Sequence, residues 1–183
     1  DYPYDLYNLN AFVQIAERLF DEVARQAKQL NVNLVDELKA HPLLVLGPDD
    51  GAFTYASEAA ERLKIYIKEE YGIDTDVRCG YMDKTRISPT KTSIPAYILD
   101  ENGQKITKES DPDIRNSWVF IIDDETSSGG TLLHATYVLR RKMNFSWPRI
   151  LPGAVHGKLN LGLEPFKTGW TEEEIIAAIR NGI

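Results

Sequence analysis

The chain is poor in the residues that build covalent or metal cross-links. Cys79 is the only cysteine among 183 residues, and His41, His134 and His156 are the only histidines. An internal disulfide is therefore excluded, which fits a reducing, cytoplasmic setting. A structural zinc site is not expected from so few scattered ligands. No apolar run approaches the ~20 residues of a membrane-spanning helix, and no signal peptide is visible. Repeats and low-complexity linkers are lacking too. Positive charge is in deficit: 21 Lys and Arg against 28 Asp and Glu give a formal net charge of -7, with a pI near 5.0. This balance argues against broad electrostatic binding to nucleic acid or to an anionic membrane. It does not forbid a small anion, because a local nest of backbone N–H groups acts against the global charge. The chain opens at Asp1 rather than at methionine, so a processed form and a fragment both stay open.

What is present points to an ordered core. Hydrophobic residues make up 43% of the chain, enough for a single domain over residues 1–183. From Leu6 to Leu30 apolar residues recur at Phe12, Ala16, Leu19, Val23 and Ala27, the spacing of a helix with one buried face. A short helix is expected over Val32–Lys39. "LLVL" at 43–46 is a continuous apolar run, as expected for a strand buried on both faces. Helical period returns through Ala56, Ala60, Leu63 and Ile67, with Gly72 as its stop. "TDVRCGYM" and "TSIPAYIL" read as strands, although Pro95 suits an edge or an irregular position. "ENGQ" is a turn and "TKESDPDIRN" a polar loop. "SWVFII" is the strongest central strand, followed by the helix "TLLHATYVLRRKM", the strand "RILPGAVHG" and a capped final helix, "TEEEIIAAIRNG". Strands alternating with helices predict an α/β fold with a mostly parallel twisted sheet flanked by helices. Residues 1–40 would form a helical N-terminal cover and 158–183 a C-terminal helical extension. Ligands bind such sheets outside the carboxyl ends of the strands. That places the residues after Leu46, Met82, Ile122 and Val155 on one rim.

The stretch "VFIIDDETSSGGTL" holds most of the chemistry. Asp123 and Asp124 end an apolar run; a solvated strand end and helix cap is the plain reading of such a pair. The turn that follows, Ser127, Ser128, Gly129, Gly130 and Thr131, is small and flexible and leads into a helix. Successive N–H groups and a helix N-terminus favour a phosphate, and the hydroxyls add donors. The two acids repel a phosphate. They suit sugar hydroxyls, or a Mg²⁺ reached through water. Together these parts suit a phosphorylated sugar whose further phosphates are bridged by magnesium.

This segment resembles the phosphoribosyl-diphosphate (PRPP) motif of type I phosphoribosyltransferases and PRPP synthetases. The resemblance implies a type I phosphoribosyltransferase-like fold and Mg²⁺ as cofactor. It implies that Asp123 and Asp124 contact the ribose 2′- and 3′-hydroxyls, with magnesium nearby, and that Ser127 to Thr131 wrap the 5-phosphate. Thr126 belongs to the same ribose- and phosphate-binding stretch. Glu125 and Thr126 stand where the family has aliphatic residues. Ser127 stands where some transferases carry an acidic base, so base-assisted chemistry of that kind is not expected.

Three further segments extend the likeness. "GPDDGA" reads by itself as a turn, and next to the motif it resembles the diphosphate-side loop of PRPP synthetases. Asp49, Asp50, Gly51 and Ala52 would then face a diphosphate, with Ala52 in place of a family glycine and tightening the approach. "DKTR" is either part of a solvated loop or, as it resembles the synthetase catalytic loop, the start of a mobile flap. On the second reading Lys84 and Arg86 are the candidate catalytic residues, offsetting charge that develops on the phosphates. "AVHG" resembles the Thr-His-Gly segment of the synthetases. His156 is either a rim residue near the ribose or base, or a structural histidine. The spacing from Asp49 to Asp123 is long for a synthetase, so an insertion near residues 97–117 is expected.

Three functions stay open at this point. One is Mg²⁺-dependent phosphoribosyl transfer from PRPP to a nitrogenous base. Another is diphosphate transfer from ATP to ribose 5-phosphate, and the third is a non-catalytic domain that senses PRPP or a nucleotide. The expected partners are PRPP or ribose 5-phosphate and a second copy of the chain, a homodimer being favoured. Neither nucleic acid nor membrane is expected.

Overall fold

The computed structural model describes residues 11–83, 86–88, 91–92, 97–106, 113–126, 130–146 and 149–157. In chain order the elements are α1 (Ala11–Gln29), α2 (Leu34–Ala40), β1 (Leu43–Gly47), α3 (Phe53–Tyr71), β2 (Val77–Met82), β3 (Arg86–Ser88) and β4 (Lys91–Thr92). They continue with β5 (Ile98–Leu99), β6 (Lys105–Ile106), β7 (Trp118–Thr126), α4 (Gly130–Arg141) and β8 (Ile150–Gly157). Single 3₁₀ turns lie at Asp50–Ala52 and Ile114–Asn116.

Six strands form one sheet in the order β6-β5-β2-β1-β7-β8, and β3 pairs with β4 in a separate ribbon. β2, β1, β7 and β8 are parallel, whereas β5 and β6 run antiparallel at one side. Of the expected strand "TSIPAYIL", Thr92 belongs to β4, residues 93–96 lie outside the described residues, and Ile98–Leu99 pairs with Lys105–Ile106 across the "ENGQ" turn. The Asp100 side chain closes that turn by accepting from Asn102 N and Gln104 N.

The central strands read as continuous apolar runs because both faces of the sheet are covered. Leu43 and Val45 of β1, with Trp118, Phe120 and Ile122 of β7, pack under α1, α2 and α3. Leu44 and Leu46, with Val119 and Ile121, pack on the other face against Leu132, Ala135, Val138 and Leu139 of α4. α1 supplies Ala16, Phe20, Val23 and Ala27, the helical stripe expected from its spacing. α2 starts two residues later than expected because the Asn33 side chain caps it, accepting from Val35 N and Asp36 N. Gly72 ends α3 in the left-handed conformation. Among the described residues no helix is long and apolar enough to cross a membrane. Within the expected N-terminal cover, residues 1–40, lie α1 and α2; residues 1–10 and the expected C-terminal extension, 158–183, lie outside the described residues.

Candidate functional site

The ladder between β1 and β7 ends at the pair Leu46–Ile121. β1 stops at Gly47, while β7 runs on beside β8 to the pair Thr126–Gly157. From β1 the chain turns onto one face of the sheet as α3 and then returns as β2. From β7 it turns onto the opposite face as α4 and then returns as β8. Adjacent parallel strands whose connections part in this way open a crevice at their carboxyl ends. The loop Pro48–Ala52 follows β1 at that end, and β7 carries Asp123 to Thr126 to the same end.

The loop after β1 folds back on the strand end. Pro48 is buried, Asp49 is half-buried, and Asp50 and Gly51 are exposed. The 3₁₀ turn Asp50–Ala52 feeds directly into α3, and Gly51 N–H donates to Asp50 Oδ1 at 3.0 Å. That backbone donor, expected to meet a diphosphate, is held here by a carboxylate of its own loop. A Cβ built at Gly47 would lie 2.9 Å from Asp49 O and 3.1 Å from Ala52 Cβ. Ala52 is 5% exposed, so its methyl fills the inside of the loop against Gly47 instead of narrowing the crevice.

The acids lie inside β7 rather than beyond its end. The sequence pattern placed the strand end at Ile122. Pairing of Asp123 with Ala154 and of Glu125 with His156 carries the strand through Thr126. Tertiary pairing with β8 thus overrides the low strand preference of acidic residues. Asp123 continues the alternation of Val119 and Ile121 onto the α4 face. It is 8% exposed, and Asp123 and Ser117 are the buried polar side chains among the described residues. A buried carboxylate at a strand end that borders a crevice must be held by donors.

Gly130 opens α4 and Thr131 sits half-buried in its first turn. Ser127, Ser128 and Gly129, the middle of the expected phosphate nest, lie outside the described residues, as does Lys84. For Asp124, Thr126, Arg86 and His156 the backbone alone is described. Asp124 and Thr126 are in β7, Arg86 is in β3 opposite Thr92, and His156 is in β8 opposite Glu125.

Residues 13–143 match the family model of the phosphoribosyl transferase domain. The chain belongs to this family. A ribose-phosphate pyrophosphokinase of Methanobrevibacter smithii is 30% identical over 106 residues, covering 58% of this chain and 31% of its own length. One from Pyrococcus abyssi is 29% identical over 144 residues, covering 76% of this chain and 39% of its own. One from Mycoplasmopsis pulmonis is 27% identical over 154 residues, with shares of 78% and 40%. The chain thus spans 31 to 40% of the length of these curated relatives. The α/β sheet described above is consistent with a type I phosphoribosyl transferase domain.

Several residues of this phosphoribosyl transferase domain escaped the sequence reading. Gly47 is required by the folded-back loop, and its one signal was a glycine directly after the apolar run. Tyr81 of β2 lies beside Gly47 in register and packs on Phe53, the first residue of α3, with ring centroids 5.3 Å apart. This pair adjoins the 3₁₀ turn Asp50–Ala52, which also contacts β2. Tyr97 lies where the chain returns from the β3–β4 ribbon. His41 is a structural residue, linked to Arg149 and Asn116. Its Nε2 faces Arg149 Nη2 at 2.8 Å and its Nδ1 faces Asn116 O at 3.0 Å. The first partner is a donor, so Nδ1 carries the proton.

Proposed function

We propose that this domain binds PRPP with magnesium along the β1–β7 crevice and transfers its phosphoribosyl group to a nitrogenous base. The observation that carries this reading is the convergence of two loops at one topological switch point. One is the folded-back loop Asp49–Ala52. The other is the acidic strand end Asp123–Thr126 with the helix that opens at Gly130. Family membership supports phosphoribosyl chemistry in general, and the likeness in the motif supports the role of each segment.

In this reading Asp123 and Asp124 accept hydrogen bonds from the ribose 2′- and 3′-hydroxyls. Thr126 to Thr131 hold the 5-phosphate, and Asp49, Asp50 and Gly51 lie on the diphosphate side. A nitrogen lone pair of the base forms the bond to the anomeric carbon as the carbon–oxygen bond to diphosphate breaks. Diphosphate leaves with the electron pair, and the proton on nitrogen passes to solvent. Lys84 and Arg86 offset the charge on the leaving group. The protein works chiefly by orienting the sugar and excluding unproductive geometry.

Among the described residues no three His, Cys, Asp or Glu side chains are grouped to hold a metal by themselves. Asp123 on one side of the crevice and Asp49 and Asp50 on the other fit a magnesium that arrives on the diphosphate. Such an ion keeps waters and takes one or two carboxylates. It would supply charge neutralisation on the phosphate oxygens.

The names of the relatives and the "DKTR" segment favour a second reading, transfer of diphosphate from ATP to ribose 5-phosphate. Thermal shift separates the two. PRPP with Mg²⁺ should raise the melting temperature under the first reading, and ribose 5-phosphate with a non-hydrolysable ATP analogue under the second. No shift with either would sink both. Product formation from PRPP and a panel of bases then separates a transferase from a domain that only binds.

A further inference from the structure

The loop after β1 has a backbone donor that is already taken. Gly51 N–H donates to Asp50 Oδ1 at 3.0 Å. The two residues are adjacent, so the bond orders one side chain and closes no loop. A second carboxylate is close by. A Cβ built at Gly51 would lie 3.4 Å from Asp49 Oδ1, with no other group of the described residues within 4 Å beyond its chain neighbours. Gly51 is exposed, and two acids of its own loop stand beside it.

The backbone around this bond is fixed, and the Asp50 side chain is not. Phe53 N–H donates to Asp50 O and closes the 3₁₀ turn. On the strand side, Asp49 O and two Ala52 atoms come within 3.1 Å of the Cβ position of Gly47. Asp50 is exposed, so its carboxylate can turn away from Gly51 without a shift of the loop.

A metal-free diphosphate and a magnesium diphosphate meet such a loop differently. The first must displace a carboxylate from the N–H and face Asp49 and Asp50 as like charges. The second brings a cation that offsets its own charge. The same cation can accept the displaced carboxylate, since magnesium keeps several waters and takes one or two carboxylates. One side chain thus has two exclusive partners, a backbone donor in the empty loop and the cation of the ligand in the filled one. Discrimination of this kind works by penalising the wrong ligand. We propose that Asp50 is a specificity-determining residue, which holds the Gly51 N–H and yields it to a diphosphate group that carries a divalent cation. This rests on the reading above, in which Asp49, Asp50 and Gly51 lie on the diphosphate side.

The test uses the full chain, its Asp50→Ala and Asp50→Asn variants, and inorganic diphosphate as the probe. Titration calorimetry is run once with EDTA and once with excess Mg²⁺. The parent should bind the magnesium complex at least about 10-fold more tightly than the metal-free anion. Asp50→Ala frees the donor and removes the charge. Its affinity for metal-free diphosphate should rise about 3- to 10-fold, and its affinity for the magnesium complex should fall about 3-fold or more. Asp50→Asn removes the charge but keeps an oxygen acceptor for Gly51 N–H. Its metal-free affinity should therefore stay below that of Asp50→Ala by about 2-fold or more. Amide exchange at Gly51, read by NMR without ligand, should quicken in Asp50→Ala and not in Asp50→Asn. Melting temperatures measured alongside separate these effects from loss of fold. Equal metal-free affinities in the parent and Asp50→Ala would overturn the proposal. So would equal metal-free affinities in the two variants, because charge alone would then explain the gain. If neither the parent nor Asp50→Ala takes diphosphate in any form, the proposal fails, and the PRPP–Mg²⁺ thermal shift decides separately whether the phosphoribosyl reading fails with it.

Discussion

Gly47 and Ala52 pack so closely that a Cβ on Gly47 would lie 3.0 Å from the Ala52 carbonyl carbon and 3.1 Å from its Cβ. The loop between them is thereby pressed onto the end of β1, where its backbone borders the crevice. Gly47→Ala cannot be absorbed by a flexible side chain, because two of the three nearest atoms belong to the backbone. The loop must shift. Overpacking of this kind costs about 1–3 kcal/mol, which urea unfolding would register. The larger effect is expected on the ligand. The PRPP–Mg²⁺ thermal shift should shrink well beyond the loss in the ligand-free protein. Equal shifts in the two proteins would separate the loop from binding.

Asp123 is 8% exposed in a strand whose other inward residues are apolar. Asp123→Asn combined with Asp124→Asn keeps side-chain size and removes both charges. Hydrogen bonds to a charged acceptor contribute about 1.5–3 kcal/mol, so PRPP affinity should fall by roughly 10- to 100-fold. Titration calorimetry in magnesium buffer measures this directly. Retention of parent-like affinity would show that these acids do not face the ribose.

The parts of the fold that were legible are those in which one force dominates. Leu43–Leu46 and Trp118–Ile122 are apolar on both sides of the pleat, so no alternation was needed to mark them as central strands. α1 and α3 declare themselves through a single buried stripe. The extension of β7 through Asp123 and Glu125 was hidden, because it depends on β8 supplying partners up to Gly157. β5 and β6 are two residues each, too short for any period to show. At the site, the small-residue turn and the acids stood out by chemical type. Gly47 did not, because its role comes from what the chain folds against, the backbone and methyl of Ala52.

At the amino ends of the strands a polar cluster should govern stability without touching the ligand. Trp118 is 5% exposed, and its Nε1–H donates to Glu37 Oε1 at 3.0 Å. Arg149 Nε lies 3.8 Å from the same oxygen. Glu37→Ala leaves the indole N–H without its acceptor in a buried setting, at a cost of about 1–3 kcal/mol. Glu37→Gln retains a carbonyl oxygen and should cost less. Urea unfolding ranks the two. Because β1, β7 and β8 all begin at this end and the crevice lies at the other, the PRPP–Mg²⁺ shift should be the same in both variants. A loss of binding with Glu37→Gln would contradict that separation.

Tyr66 and Tyr71 both donate to Asp21 Oδ1 at 2.7 Å, which ties α3 to α1. Burial first, and then this bond to Asp21, pushes the Tyr71 phenol up to about 12. The same two causes raise Tyr66. An unfolded phenol titrates near 10. Between these values the folded chain keeps protons that the unfolded chain releases, so stability falls as pH rises. The contribution is fully present below about pH 10 and is lost as pH climbs toward about 12. Urea midpoints measured from about pH 9 to 11.5 should therefore drop more steeply for the parent chain than for Tyr66→Phe combined with Tyr71→Phe. The double variant should be less stable at neutral pH, having lost both bonds to Asp21, and the two curves should converge in alkali. Parallel curves across the whole range would mean that the phenols are not held protonated by Asp21 and their burial against α1.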